Sequence, residues 1–301
     1  MHGRNVVNPT ISVVVPALNE ARNLEMILPQ LDLTYEVVVV DGNSTDDTAD
    51  VVARLRPDAT FITQTRTGKG NALVCGFEAA TGDIIVMLDA DCSADPDEIP
   101  RFVEALRDGA DFAKGSRFVD GGGSADITAF RSAGNWGLNR LTNLVIGARY
   151  SDLCYGYNAF WRDILPALSL PSPALVAGAD GKLWGDGFEI ETLLTYRVAA
   201  ADLVVTEVPS YEYLRHHGAS NLNAIGDGLR VLRTILTERS AVAESRRSRE
   251  LIAVPATTPA PSASAQVGAD HRPSRPAHDN VAGRRVRGVV ERDHTPSQAR
   301  R

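Results

Sequence analysis

Gly82-Asp-Ile-Ile-Val-Met-Leu-Asp-Ala-Asp-Cys-Ser-Ala-Asp95 decides how the rest of the chain is read. Five apolar residues, 84–88, stand between a Gly-Asp turn and a cluster of acids, the pattern of a strand buried on both faces of a sheet. The strand ends in Asp89 and Asp91. Being two apart, they share one face of extended backbone, and a bend there could turn both onto one cation. Two carboxylates held close repel each other unless positive charge lies between them. Hard oxygen ligands with room for water and phosphate suit Mg2+ or Mn2+. An isolated Asp-x-Asp more often just ends a strand and caps the next helix, so its neighbours in the chain have to settle the matter.

Upstream, the same strand-then-helix unit repeats. Residues 11–15 are a β-branched run stopped by Pro16, and residues 21–31 carry Leu24, Ile27, Leu28 and Leu31 at helical spacing. Residues 35–40 form a second strand that also ends in an acid, Asp41. Ser44 with Asp47 reads as a capping box for a helix over 46–55. Residues 61–64 are a short third strand, and Gly68-Lys-Gly-Asn-Ala-Leu73 opens a helix to Ala80 that leads into the 84–88 strand. This alternation through residue 108 is the signature of an α/β fold, a Rossmann-like, mostly parallel sheet flanked by helices. Such sheets bind ligands at the carboxyl ends of their strands, where Asp41, Asp89 and Asp91 all fall.

Other readings of these loops fail on spacing. A calcium loop starting at Asp41 would need Gly where Asp46 stands and Glu where Val52 stands. A dinucleotide fingerprint would need Gly at Leu73, and no Walker pattern is present.

The 301 residues are 44% hydrophobic and 23% charged, an ordinary globular composition. No apolar run approaches the roughly 18–20 residues that cross a bilayer, and the N-terminus has no apolar signal segment, so a cytoplasmic protein is expected. Cys75, Cys92 and Cys154 are odd in number and widely spaced, as expected of small core residues in a reducing compartment. The net charge of −7 is unevenly spread: residues 245–301 hold 11 Arg against five acids, which leaves −13 for residues 1–244. The tail is rich in Pro, Ser and Ala and is expected to be disordered, with no nucleic-acid partner. Ile225, Leu229, Leu232 and Leu236, with Arg230, Arg233 and Arg239 nearby, form an amphipathic stripe. That stripe suits either core packing or peripheral contact with the inner face of a membrane.

Val15-Pro16-Ala-Leu-Asn19-Glu20, Val40-Asp41-Gly-Asn-Ser44-Thr-Asp46, Gly68-Lys-Gly70-Asn-Ala72, Met87-Leu-Asp89-Ala-Asp91 and Gly115-Ser-Arg117 follow one another in an order that resembles the inverting GT-A glycosyltransferases of family 2. Within that family the resemblance is to the dolichol- or polyprenyl-phosphate mannosyltransferase branch. It covers residues 10 to about 240. It implies residues 1–9 as an extension, a nucleotide-binding part over about 10–118, an acceptor part over about 119–240, and the tail from 245. It also implies a nucleotide-diphosphosugar donor lying across the rim, near Pro16, Leu18, Glu20 and Asp41. Asp89 and Asp91 would hold the metal, with Ala90 between them against the donor, and Lys69, Arg117 and Arg215 would lie close to phosphate.

Asp152 would position the acceptor, which the resemblance gives as a polyprenyl phosphate or another cell-envelope glycan intermediate. Were the acceptor a hydroxyl, Asp152, Asp186 or Glu189 would take its proton. Glu191 reads, without the family, as part of a solvated helix face. The chain departs from the branch at Gly42, where many relatives have a second acid, at Ser93, where the branch has Gln, and at Asn221, where it has Lys. The donor nucleotide stays open. Two alternatives remain: transfer to a hydroxyl of a soluble small molecule, and a nucleotide-sugar-binding module without turnover.

Overall fold

Valine-rich runs build the centre of the sheet, because side chains buried on both faces leave no room for polar alternation. A computed structural model describes residues 4, 6–177, 182–218 and 224–253. β1 (Ile11–Ala17) pairs in parallel with β2 (Glu36–Asp41) on one side and with β4 (Ile84–Met87) on the other. β3 (Thr60–Thr63) adds to the far edge of β2. Crossovers run through α1 (Ala21–Ile27), α2 (Thr48–Leu55), α3 (Lys69–Ala79) and α4 (Ile99–Arg107), the last leading to β5 (Phe112–Ser116). The ends of β1 and β2 are level, Ala17 opposite Asp41, so their carboxyl ends form one rim.

The second half of the unit was less legible. β6 (Gly123–Ser124) leads to α5 (Ala129–Ile146), and β7 (Asn158–Trp161) then wedges antiparallel between β4 and β5. The chain reaches β7 along the rim where β4 and β5 end, so the strand that follows must run back down. The seven-stranded order is β3-β2-β1-β4-β7-β5-β8, with β8 (Val205–Pro209) parallel to β5. The sheet is therefore mixed and mostly parallel, flanked by helices, as expected. Phe160 of β7 stacks on Phe112 with ring centroids 5.7 Å apart and meets Phe77 of α3 edge-on at 5.2 Å. A short α6 (Leu165–Leu168) and α7 (Ile190–Ala200) precede β8, and β9 (Tyr211–Glu212) pairs with β6. α8 (Ala224–Ala253) packs on α5 and α7 around a second core of Ile146, Leu153, Tyr196, Val231, Ile235 and Val242.

Several local expectations are corrected. α1 ends at Ile27 and gives way to a 3-10 turn, Leu28–Gln30, containing Pro29, which has no N–H to continue the α ladder. The expected capping box does not form: the Ser44 hydroxyl accepts from Asn19 N–H, and Asp46 instead accepts from Thr48 and Ala21. Cys154 is exposed, unlike the buried Cys75. Residues 245–253, expected to be disordered, continue α8. The rest of the expected tail lies outside the described residues. No helix among the described residues is long and apolar enough to cross a membrane. Residues Met1–Pro255 form one compact unit.

Phe160→Ala removes a fully buried ring with two aromatic partners and should cost about 3–5 kcal/mol of unfolding free energy in urea titrations; a loss below about 1 kcal/mol would contradict the packing described.

Candidate active site

The rim holds a cavity of about 910 Å3, and its polar floor is made by strand ends. Past β4, Leu88 N–H still reaches Val14 C=O, and then the chain bends through Asp89, Ala90 and Asp91, with Cys92 at φ +61°. This bend sets both carboxylates on the wall of the same cavity. Each is met by a cation from another element. Lys69, at the start of α3, lies 2.8 Å from Asp89 Oδ1 and 2.8 Å from Glu191 Oε1 on α7. Arg215, in the segment after β9, lies 3.1 Å from Asp91 Oδ2 and 2.8 Å from Glu20 Oε1. Asp89 and Glu191 hold the Lys69 ammonium well above its ordinary range although burial pulls it down. Burial pushes Glu191 up, against the pull of Lys69. Glu191 is thus buried and paired, contrary to the solvated helix face expected of it.

Two glycines place Lys69. Gly70 donates to Asp186 C=O at 2.8 Å, and a Cβ on it would lie 1.8 Å from Gly185 O, so only glycine lets the first turn of α3 dock on residues 185–187. The Gly-Lys-Gly stretch thus serves helix docking. Gly156 covers the ion cluster: a Cβ there would come within 2.9 Å of Lys69 Nζ.

Arg117 follows β5 as expected and lines the cavity, but its fork is engaged. Nε and Nη2 donate to Asp152 at 2.7 and 3.0 Å, Nη1 donates to Glu212 at 3.0 Å, and the guanidinium lies 4.8 Å from the Tyr155 ring centroid. Burial opposes the charge on Arg117, yet Asp152 and Glu212 raise its pKa above the ordinary value. Pro16, Leu18, Glu20, Lys69, Ala90, Arg117 and Arg215 all share the cavity with Asp89 and Asp91.

Four expected residues do not line it. Asp41 sits beside the cavity, its oxygens accepting from Asn43 and Ser44 N–H. Asp152 is 0% exposed and closed by Arg117 and Asn135. Asp186 is buried against Arg66, with bonds of 2.8 and 2.9 Å, and Glu189 Oε1 accepts from Gly185 and Gly187 N–H. Arg66 was invisible in the sequence as a site residue, since its partner lies 120 positions away.

The donor set fits a divalent ion. Around the Asp89–Asp91 bend, the carboxylates of Glu20, Asp89, Asp91, Asp152, Glu191 and Glu212 are ion-paired, among the described residues, with Lys69, Arg117 and Arg215, and the buried Lys114 adds a fourth positive group near Asp152 and Glu191, so carboxylates outnumber cations. No group of three or more metal-binding side chains occurs among the described residues. A divalent ion held by Asp89 and Asp91 would take its other positions from ligand oxygens and water, as Mg2+ and Mn2+ accept.

A mixed α/β sheet whose rim carries this acid pair beside an open cavity defines a GT-A domain. The Glycosyl transferase family 2 profile matches residues 12–168, and the chain belongs to that family. It is 39% identical over 120 residues to a dolichol-phosphate mannosyltransferase of Pyrococcus furiosus, covering 37% of this chain and 34% of that protein. It is 31% identical over 223 residues to an undecaprenyl-phosphate mannosyltransferase of Micrococcus luteus, covering 71% of this chain and 87% of that one. The chain spans from a third to about half the length of the first curated relatives it matches. In fold it is similar to glucosyl-3-phosphoglycerate synthase from Mycobacterium tuberculosis in complex with Mn2+, UDP and glucosyl-3-phosphoglycerate, with a TM-score of 0.58 at 24% identity over 77% of this chain and 81% of that one.

Asp186→Ala strands a buried Arg66 and should lower unfolding stability by about 3–5 kcal/mol in urea. Unchanged stability together with lost turnover would instead make Asp186 a base.

Proposed function

We propose that the chain transfers a hexose from a nucleotide-diphosphosugar to a phosphate-bearing acceptor, a polyprenyl phosphate or a related cell-envelope intermediate, with inversion at the anomeric carbon. The observation that carries this reading is the shared cavity of Asp89 and Asp91 with its surplus of carboxylates. When bound there, Mg2+ or Mn2+ would neutralise charge growing on the leaving nucleoside diphosphate.

The chain's own residues divide the remaining work. Pro16, Leu18 and Glu20 form the end of the cavity suited to base and ribose, with Asp41 fixing the loop beside it. Lys69 and Arg215 are the cations within reach of a diphosphate beside Asp89 and Asp91. Arg117, held in orientation by Asp152, faces the same space as an anchor for phosphate. Asp186 and Glu189 hold the 183–189 segment on which Lys69 is seated.

A phosphate acceptor is favoured over a hydroxyl by the state of the acids. Each carboxylate lining the cavity, Glu20, Asp89, Asp91, Asp126, Glu191, Glu212 and Asp227, is ion-paired with Lys69 or an arginine. Each is already engaged by a cation, and an acceptor that is itself ionised needs no free base. The Micrococcus relative, whose name gives undecaprenyl phosphate, points the same way.

UDP-, GDP- and dTDP-sugars are to be screened for release of nucleoside diphosphate, with and without short-chain polyprenyl phosphate. One donor should be turned over in a metal-dependent manner, faster with the phosphate acceptor, and Asp91→Ala should lose about 100-fold or more of that rate while keeping its fold. Acceleration only by soluble hydroxyl acceptors would favour the small-molecule alternative. Tight donor binding without release would favour a binding module.

A further inference from the structure

Helices α5 and α8 present a surface that neither the sheet nor the cavity accounts for. On α5, Ala133, Trp136, Arg140 and Leu144 fall at helical spacing on one outward stripe, Trp136 65% and Leu144 82% exposed. Arg140 lies over the Trp136 ring, 5.8 Å from its centroid. On α8, Leu229, Arg233 and Leu236 form a second exposed stripe. Soluble surfaces rarely carry a large ring and several leucines in one neighbourhood without a use for them.

The charge on this surface is opposite to that of the molecule. Residues 1–244 carry −13, yet α5 has no acid at all and two arginines, Arg131 and Arg140. On α8 between residues 226 and 240 the only acids, Asp227 and Glu238, are buried and paired with Arg230 and Arg197. Over α5 and residues 226–240 of α8 the exposed charged groups are therefore arginines, among apolar and neutral polar side chains, and the exposed acid Glu244 lies further along α8.

We propose that this α5–α8 face docks on an anionic lipid bilayer. Tryptophan, leucine and arginine side by side are the groups that settle at the headgroup boundary: the rings and chains enter the acyl edge and the guanidinium groups meet lipid phosphate. Both stripes begin at the cavity mouth, because the exposed Phe130 of α5 and Leu229 of α8 also line the cavity. A chain seated on these helices thus opens its cavity toward the bilayer, where a lipid-linked phosphate would enter without leaving the membrane. A second copy of the chain is a poorer occupant, since self-pairing of the face sets arginine against arginine. The surface argument stands apart from the transferase reading and deepens it by naming where the acceptor is met.

The test is co-sedimentation of the full chain with vesicles of neutral phosphatidylcholine, or of the same lipid containing about a third anionic phosphatidylglycerol, at low and high salt. The wild type should sediment with the anionic vesicles and much less with neutral ones or at high salt. Trp136→Ser combined with Leu144→Ser, which leaves the tail and the cavity lining intact, should bind about tenfold more weakly. Equal binding by this variant, or no binding by the wild type, overturns the proposal, and so does a dimer in light scattering that the variant converts to monomer. Metal-dependent release of nucleoside diphosphate without vesicles should be the same in both proteins, so a failure of docking is read apart from a failure of the transferase reading.

Discussion

The repulsion between two carboxylates at the end of the central β4 strand is the constraint around which the rim is arranged. Asp89 and Asp91 lie in the bend just past a strand buried between β1 and β7, and that bend sets both on the wall of one cavity. Their charge has to be answered from elsewhere, and four segments converge to do so. α3 brings Lys69, α7 brings Glu191 to steady that lysine, the segment after β9 brings Arg215, and the turn before α1 brings Glu20 to hold the arginine. Elements far apart in sequence are thereby tied to one point. The Arg215 segment is drawn over the bend by backbone bonds as well, with Tyr213 N–H donating to Ser93 C=O and His217 N–H to Asn23 Oδ1.

Around this centre lie fixed ion pairs that support it. Arg117 with Asp152 and Glu212, and Arg66 with Asp186, are almost wholly buried, and each sets a loop of the rim. Such pairs contribute little net stability but are costly to break, which suits residues that orient others. The same burial keeps Asp152 and Asp186 off the cavity lining, and under the proposed transfer they act as positioning residues.

Much of the first half of the fold was legible because it is locally encoded. Four strands, three of them apolar runs and each followed by a helix, read correctly to within two residues, and the acids at the ends of β2 and β4 announced the rim. The second half depends on partners that no local pattern reveals. β7 is four residues, Asn158–Trp161, whose antiparallel place follows from the route of the preceding chain along the rim. Apolar residues of α5 are scattered around the helix because one side packs on α8 while the other side, with Trp136 and Leu144, faces solvent, so its periodicity is weak. Glu191 looked like a surface residue because its lysine lies 122 positions earlier. Gly68-Lys-Gly70 reads in the sequence as the opening of a helix, and only the structure shows that its glycines serve the close approach of α3 to residues 185–187.

The central claim is that Asp89 and Asp91 jointly form a divalent-metal site completed by a nucleoside diphosphate. Electron paramagnetic resonance of Mn2+ titrated with the full chain, with and without UDP or GDP, tests it most directly. The account predicts that free Mn2+ signal is lost stoichiometrically when protein and the preferred nucleotide are both present, and that Asp89→Asn with Asp91→Asn abolishes this loss while a fold-reporting circular dichroism spectrum stays unchanged. Undiminished Mn2+ binding by that double variant would contradict it.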